Sequence, residues 1–501
     1  MNPYNLDIAG DWYADPAVLD KFSRDMSAYR IVPTLVVAPK SVEDILSTLK
    51  FARNKGLGIV PRAGGSDLSG ASIGPGIILN LKKYLHKAVR LGKVSIVEPG
   101  MILDHFVKQI SAHNLMLPAI PSSSAWCALG GNVGTRATGP RTAKYGTLDA
   151  FVTSLRFITA GGEVVDTAQS LPDYLATGLR RLQKKFLDDA VSRGIVDRRP
   201  FIAGGYNLKA LTQYSDMGEL AAHLLVGSIG TLGIVTEIRL KLIDKRPSQG
   251  TLVAHFKDYD ELAEAAMRLK ALDPAALEYS DASCAGHVNG KILNLEDPGM
   301  VGTMIAEFDA SPEQAQEGRK ILETYDISRL WVIRSSSPEE TDLWQDRRRT
   351  QPSLLKYCRQ KNFLLPPIID DIAIHLKDFG SVIRELGDLM RRLGHEISVY
   401  GHLGFGSIHA RPYFDPAKGG LEEQIETVSQ EVFKILHKYN GTLVGEHNAG
   451  RSRSVYLKME LGPAYTYLRE IKALFDPEDI LNPGSLFDTD PICTHMDFKV
   501  R

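Results

Sequence analysis

The sequence predicts an α+β protein of two or three domains. Three observations carry that expectation. The 501 residues exceed what a single hydrophobic core serves. Helical and strand patterns mix through the first half around three glycine-rich loops, and beyond Thr251 the pattern changes to strand, long helix, strand, helix.

In chain order, Ser41-Val42-Glu43-Asp44 reads as a helix start, followed by Ile45, Leu46, Leu49 and Ala52 at helical spacing and a stop at Gly56. A short strand over Gly58–Pro61 follows, then a turn-rich run from Arg62 to Gly70. Strands are expected at Ile77–Leu81 and Val94–Glu98. Pro118–Gly146 is rich in Gly, Pro, Ser and Thr without sustained periodicity, and irregular segments of that length inside a domain are usually functional. Leu155–Val165 reads as a hairpin turning at Gly161-Gly162, and Ile234–Leu242 as an alternating strand. The polar run Asp244–Ser248 reads as a linker, which sets a first domain at 1–245. A second domain at 246–454 opens with strand Leu252–Phe256, helix Tyr259–Ala271, strand Gly302–Phe308 and helix Pro312–Tyr325. In a C-terminal segment at 455–501, Ala464, Tyr467, Leu468, Ile471, Leu474 and Phe475 share one face of a helix that begins near Pro463 and stops at Asp476-Pro477.

Composition excludes several functions. With 59 basic and 60 acidic side chains the formal net charge is -1, so the footprint of a nucleic-acid binder is missing. Apolar runs are broken within about ten residues, short of the roughly 18 that a membrane span needs. Met1–Pro33 lacks the basic start and apolar core of a secretory signal, and the expected location is the cytosol, with peripheral membrane attachment through a partner left open. Cys127, Cys284, Cys358 and Cys493 show no metal-binding or cluster-binding spacing and are expected as buried free thiols.

The run Pro61-Arg62-Ala63-Gly64-Gly65-Ser66-Asp67-Leu68-Ser69-Gly70 combines small residues with aligned N–H donors and suits a pyrophosphate, although one such loop could equally be a plain turn. Neither the dinucleotide fingerprint G-x-G-x-x-G nor the P-loop pattern is present in it. Gly130-Gly131-Asn132-Val133-Gly134 and Gly230-Thr231-Leu232-Gly233 would allow the same close approach to an extended cofactor. These loops, with Pro121-Ser122-Ser123-Ser124, Gly139-Pro140-Arg141, Lys144-Tyr145-Gly146 and the terminal Leu481-Asn482-Pro483-Gly484, resemble the vanillyl-alcohol oxidase and p-cresol methylhydroxylase family along nearly the whole chain. The D-lactate, glycolate and D-2-hydroxyglutarate dehydrogenase branch is the most similar.

That resemblance implies a two-subdomain FAD-binding domain of the p-cresol methylhydroxylase type, a substrate or cap domain with an antiparallel sheet, and a C-terminal segment returning to the FAD domain. It places Pro61, Arg62, Ala63, Gly64, Gly65, Ser66, Asp67 and Leu68 at the FAD pyrophosphate. Ser124, Gly130, Gly131, Asn132 and Gly134 fall on the ribityl and flavin side, Gly233, Ile234 and Val235 at the adenine half, and Thr135, Thr138, Gly139 and Asn482 are carried over as further cofactor contacts. Members with covalent flavin have a His where Ser66 stands, so noncovalent FAD is expected.

His402 and His409 lie in Tyr400-Gly401-His402-Leu403-Gly404-Phe405-Gly406-Ser407-Ile408-His409, and His447 in Gly445-Glu446-His447-Asn448. On one continuous strand the first two would face opposite sides, but a turn at Gly404-Phe405-Gly406 could bring them together. Two imidazoles and the Glu446 carboxylate would form a three-ligand site with open positions, of the sort a divalent ion such as Zn²⁺ uses; the alternative is histidines that merely stabilise a domain interface. By resemblance, His402, His409 and Glu446 are the metal ligands and His447 the base. Where the family commonly reads Gly-Asp-Gly-Asn this chain has Gly404-Phe405-Gly406-Ser407, and Asn448 replaces a Gly. The first variant resembles members paired with an iron–sulfur module.

Arg347, the last residue of Trp344-Gln345-Asp346-Arg347, falls on a family Trp-x-x-Arg pattern, and its guanidinium suits a substrate carboxylate. Asp370-Asp371 resembles an acidic pair expected to support architecture. The implied activity is oxidation of a small-molecule D-2-hydroxy acid of the lactate, glycolate or 2-hydroxyglutarate type by hydride transfer to flavin N5. Electrons would pass to a quinone, a cytochrome, an electron-transfer flavoprotein or a separate iron–sulfur subunit, with a homodimer as one open assembly. Rival readings are a flavin adduct-forming enzyme similar to alkyl-dihydroxyacetone-phosphate synthase and a non-catalytic FAD-binding subunit of an oxidase complex.

Overall fold

The computed structural model of the chain describes residues 6–200, 204–288, 293, 297 and 299–499. Its first sheet orders β1 (Asp11–Tyr13), β2 (Leu35–Ala38), β4 (Ile77–Asn80) and β3 (Ile59–Arg62), with β2 and β3 parallel to β4 on either side of it. Helix Val42–Lys55 starts where expected, because Ser41 Oγ accepts the Asp44 amide at 3.3 Å, and it stops where Gly56 turns left-handed at φ 62°. The glycine run 63–70 forms the crossing between β3 and β4, so both of its ends are fixed to one buried parallel pair.

A second, antiparallel sheet runs β5 (Ala88–Arg90), β6 (Val94–Val97), β10 (Ile234–Lys241), β8 (Val152–Ile158), β9 (Val164–Asp166). A short pair joins β7 (Leu115–Met116) to β11 (Ile243–Asp244). The expected hairpin is β8–β9, with Gly162 at φ 87° in its turn. Helix Asp173–Asp188, absent from the sequence expectation, buries Leu175, Leu179, Leu182 and Phe186. Against it lies helix Tyr465–Phe475, whose Tyr467 ring meets Phe186 edge-on at 4.9 Å. Each such side chain contributes about 1.5–3 kcal/mol on burial, which holds the C-terminal helix to the first core.

The third sheet has seven strands, all antiparallel, in the order β15 (Ile327–Ile333), β12 (Gly250–Phe256), β14 (Gly302–Phe308), β13 (Ala276–Asp281), β17 (Ile397–His402), β18 (Ser407–Pro412), β16 (Ile372–Ala373). The sequence reading anticipated β12 and β14 but not the strand β13 between them. Alternate residues face two covers. Leu252, Ala254 and Phe256 pack under helices Tyr259–Lys270, Pro312–Leu322, Phe379–Leu393 and Leu421–Lys438, whereas Val253, Ile305 and Ile333 meet Leu343 of the long helix Pro338–Lys361. Covering on both faces explains why β12 and β14 are buried at every position.

The chain end does not stay with the first core. Ile492 and Cys493 join the core of the seven-stranded sheet, while Tyr29 Oη donates to the Ile492 carbonyl and the Arg30 amide to that of His495. Among the described residues no helix is long and apolar enough to cross a membrane, and all four cysteines are free and buried.

Candidate active site

A cavity of about 350 Å³ lies between the two early sheets and the face of the seven-stranded sheet covered by helix Pro338–Lys361. From the first side it is lined by Pro61, Ala63, Gly64, Gly65, Ser66, Asp67, Leu68, Gly130, Gly131, Asn132, Gly134, Thr135, Thr138, Gly233 and Val235. Three segments far apart in sequence thus converge on one elongated space. Asn132 Nδ2 is buried there without a hydrogen-bond partner, an orphaned donor that a cofactor acceptor would satisfy.

Five of the expected cofactor residues do not line the cavity. Arg62 turns back, donating to the carbonyls of Phe22 and Ser72 and stacking 5.3 Å over the Phe22 ring. Ser124 and Ile234 are buried in the protein, and Gly139 lies against Ile120. Asn482 works from behind, its Nδ2 donating to the carbonyls of Ala71 and Ile229 and so tying two cavity loops together.

The glycines also serve a purpose that the sequence did not reveal. A Cβ on Gly64 would stand 2.7 Å from Cys127 Cα and 2.8 Å from the Trp126 carbonyl oxygen, and one on Gly130 would stand 2.9 Å from the Pro99 carbonyl oxygen. These positions are small because loop packs on loop; at Gly131 the nearest atom is Ala63 Cβ at 3.5 Å, an ordinary contact. Gly64→Ala should force apart segments 63–68 and 123–128 at about 1–3 kcal/mol. The expected result is protein that purifies with under half the wild-type flavin, read as the ratio of absorbance at about 450 to 280 nm; an unchanged ratio would refute the loop-packing role.

On the cap side, β17 and β18 form a hairpin in which Tyr400 pairs with His409 and His402 with Ser407. Strand alternation puts Tyr400, His402 and His409 on the face turned to the cavity. The turn that allows this needs its glycines: Gly406 has φ 82° and would place a Cβ 2.3 Å from the Ile374 carbonyl oxygen, while a Cβ on Gly404 would sit 3.0 Å from Ala143 of the first domain.

Three imidazoles converge on one carboxylate. His402 Nε2 is 3.5 Å from Glu446 Oε2, His409 Nε2 is 3.2 Å from Oε1, and His447 Nε2 is 3.5 Å from Oε1. Each of the first two rings is oriented through its other nitrogen: His402 Nδ1 lies 2.6 Å from Glu278 Oε1 and His409 Nδ1 2.9 Å from the Asp370 carbonyl. Such outer partners fix ring direction at metal sites. Thr138, expected as a cofactor contact, lines the cavity and donates its hydroxyl to Glu446 Oε2.

Burial alone would raise the Glu446 pKa, but His402, His409 and His447 hold the carboxyl well below its usual range. Burial would lower that of His447, yet Asp371, Asp370 and Glu446 carry it up to about 9. His402 is raised likewise, with Glu278 and Glu446 outweighing its burial.

Asp371, His409, Glu446 and His447 present ligand atoms within 4.8 Å of one another, a set able to hold a cation. The two oxygens of Asp371, however, each already accept a backbone amide, from Glu446 and His447 at 2.7 Å. Asp371 thereby shapes the Glu446–His447 loop, and Asp370 pairs with Arg411 at 2.8 Å and Arg453 at 2.9 Å. His402, expected as a ligand, stands outside the four-residue set, and His447, expected as the base, stands within it.

Arg347 is buried, with Nε 2.8 Å and Nη2 2.6 Å from Glu278 Oε2 and its guanidinium 5.2 Å above the Tyr400 ring. It lines the cavity, and so do its neighbour Arg348, Trp344, Gln351 and Leu355 of the same helix. Glu278, which ties Arg347 to His402, was not singled out from the sequence. Asn448 stands in the left-handed region at φ 65°, and its side chain donates to the Gly227 carbonyl at 2.6 Å and accepts the Gly205 amide at 3.3 Å. Where a Gly would only permit the turn, Asn448 also fastens the Glu446–His447 loop to the first domain.

Two family models match the chain. Residues 33–168 match the FAD binding domain and residues 245–486 the FAD linked oxidases, C-terminal domain. The chain is 26% identical over 479 residues to glycolate oxidase subunit GlcD of Bacillus subtilis, covering 92% of this chain and 90% of that protein. It is 26% identical over 536 residues to D-2-hydroxyglutarate dehydrogenase of Haemophilus influenzae, of which it spans about half, 51%. Among solved structures, alkyldihydroxyacetonephosphate synthase superposes with a TM-score of 0.64 at 17% identity, over 94% of this chain and 82% of that one, which is a likeness of fold. The cavity walls, the matched domains and these relatives together assign the chain to the FAD-linked oxidases of the vanillyl-alcohol oxidase and p-cresol methylhydroxylase type, on the glycolate, D-lactate and D-2-hydroxyglutarate branch, as an FAD-dependent oxidoreductase acting on a CH–OH group.

Proposed function

We propose that this chain oxidises a D-2-hydroxy acid to the corresponding 2-oxo acid with a divalent ion at His402, His409 and Glu446. The observation that carries this reading is the convergence of three imidazole Nε2 atoms on Glu446 within 3.2–3.5 Å, in the same cavity as the FAD loops and Arg347.

Arg347, held in place by Glu278, directs its remaining N–H groups at the substrate carboxylate. The ordinary pKa of an alcohol lies far above neutrality, so loss of the hydroxyl proton needs both a cation and a base. A divalent ion when bound supplies the positive charge that acidifies the hydroxyl. With a cation at Glu446 offsetting one of the carboxylates that keep the His447 imidazole protonated, Nε2 is free to receive the proton, and the Asp370 carboxylate, 3.6 Å from His447 Nδ1, stabilises the imidazolium that results. FAD when bound supplies the acceptor, N5, for the hydride that leaves Cα as the C=O bond forms. Residues 63–68 would hold the flavin without a covalent bond, since Ser66 offers no imidazole for one. Reoxidation passes the electrons to a quinone, a cytochrome, an electron-transfer flavoprotein or a separate iron–sulfur subunit.

The test is anaerobic bleaching of the flavin band by a panel of D- and L-2-hydroxy acids, with and without EDTA pretreatment. The expected result is bleaching by D-acids that EDTA slows at least 100-fold and that added Zn²⁺ or Mn²⁺ restores. Bleaching indifferent to EDTA would remove the metal from the reading, and a yellow protein that no hydroxy acid reduces would overturn it.

A further inference from the structure

Three arginines line the cavity, and their charges are balanced unequally. Arg141 is paired with Glu307, its Nη2 and Nε reaching the two carboxylate oxygens, and Arg347 is paired with Glu278. Arg348 is exposed on the cavity wall and has no acidic partner among the described residues. The helix accounts for the difference. Leu343, Arg347, Thr350, Leu354 and Cys358 are buried at helical spacing, so Arg347 points at the sheet and Glu278. Arg348 leaves the helix about 100° further round, on the other side of a strip formed by Trp344, Gln351 and Leu355, which also lines the cavity. Two guanidinia thus flank one narrow wall, the first committed to the catalytic constellation and the second uncompensated.

We infer that Arg348 forms a distal anion subsite, and that the preferred substrates carry a second anionic group, carboxylate or phosphate, several bonds beyond the 2-hydroxy carboxylate. The inference builds on the hydroxy-acid reading and adds a substrate class to it. The apolar edges of Trp344 and Leu355 suit an intervening methylene chain, and Gln351 offers an amide beside the charge. A guanidinium at the open end of a cavity keeps its water until the anion arrives, so the discrimination falls on tail charge rather than on tail length.

The experiment compares D-2-hydroxyglutarate and D-3-phosphoglycerate with D-2-hydroxyvalerate and D-lactate, in wild type, Arg348→Gln and, as control, Arg349→Gln, an exposed neighbour. Wild type should favour one of the anionic-tailed acids over D-2-hydroxyvalerate by about 10- to 100-fold in kcat/KM, the worth of one charge-assisted hydrogen bond; which acid is favoured separates carboxylate from phosphate. Arg348→Gln should collapse that ratio toward one with D-lactate turnover and flavin content unchanged, and Arg349→Gln should keep it. A ratio unchanged in Arg348→Gln, no preference in wild type, or loss of flavin from Arg348→Gln, which would assign the guanidinium to the cofactor, each overturns the subsite. Binding of glutarate against butyrate, read as a shift of the flavin absorption band, gives the same comparison without turnover. An enzyme that binds glutarate through Arg348 yet oxidises no hydroxy acid would retain the subsite and refute the hydroxy-acid reading.

Discussion

His447→Gln is expected to lower the rate of flavin reduction by a saturating D-2-hydroxy acid about 10²- to 10⁴-fold, the range that a positioned acid–base group supplies. Flavin content should be unchanged, because His447 approaches the cavity from the cap side and is a quarter exposed, at 24%. Glutamine keeps a polar side chain of similar reach but cannot accept a proton near neutral pH. Substrate binding should change little, so the loss should appear in the limiting reduction rate rather than in the half-saturating concentration. Stopped-flow absorbance near 450 nm measures both, and a limiting rate within threefold of wild type would remove His447 from the proton-transfer step.

The second large effect concerns stability. Asp370 is 1% exposed and is shared by Arg411 and Arg453, themselves 2% and 0% exposed. Removing one member of a buried ion pair leaves uncompensated charge and costs about 3–5 kcal/mol, so Asp370→Asn should lower the urea midpoint by that equivalent. Burial alone would raise the Asp370 pKa, but His447, Arg411 and Arg453 more than reverse this and hold it far below the carboxylate range. A depressed folded pKa means that the stabilisation is present above the unfolded carboxyl's pKa of about 3.9 and is lost only as pH falls through the folded value. The difference between wild type and Asp370→Asn should therefore stay constant from about pH 6 to about pH 5, and should shrink as pH rises from about 6.5 toward 9, where the His447 proton that Asp370 helps to hold is lost. A difference under about 1 kcal/mol at about pH 6, or one that shrinks between about pH 6 and about pH 5, would refute the role given to Asp370.

Much of this was legible in the residues, for reasons that differ by element. Helix Val42–Lys55 was readable at both ends because Ser41 and Gly56 act within one turn of chain. The meeting of His402 with His409 followed from a glycine turn, since once the chain reverses, strand alternation decides which side chains share a face. Glu278 was invisible because its partners, Arg347 and His402, lie 69 and 124 residues further along, and nothing in its neighbours marks a buried carboxylate. The glycine loops were readable as loops, but not the distinction between Gly64, which meets another loop, and Gly131, which has room on its cavity side. Helix Asp173–Asp188 was missed although Leu175, Leu179, Leu182 and Phe186 recur at helical spacing. In helix Pro338–Lys361 Arg347 was singled out by resemblance, and the spacing of Leu343, Thr350, Leu354 and Cys358 is the signal within the chain itself that makes it the inward arginine.

The four enclosed sulfurs make the molecule its own reporter of opening. Burial pushes Cys127 and Cys358 up to about 11 and Cys493 up to about 12, and holds Cys284 well above the usual thiol range. Thiolate, not thiol, attacks alkylating and disulfide reagents, so the native protein should stay silent toward them on the timescale at which a free peptide thiol reacts. Cys127 sits beneath the flavin loops, Cys284 and Cys358 lie in the shell around Tyr400, and Cys493 is in the returning tail. The order in which they become modified, resolved by mass spectrometry, would thus date the local openings of three different parts of the fold without any added label.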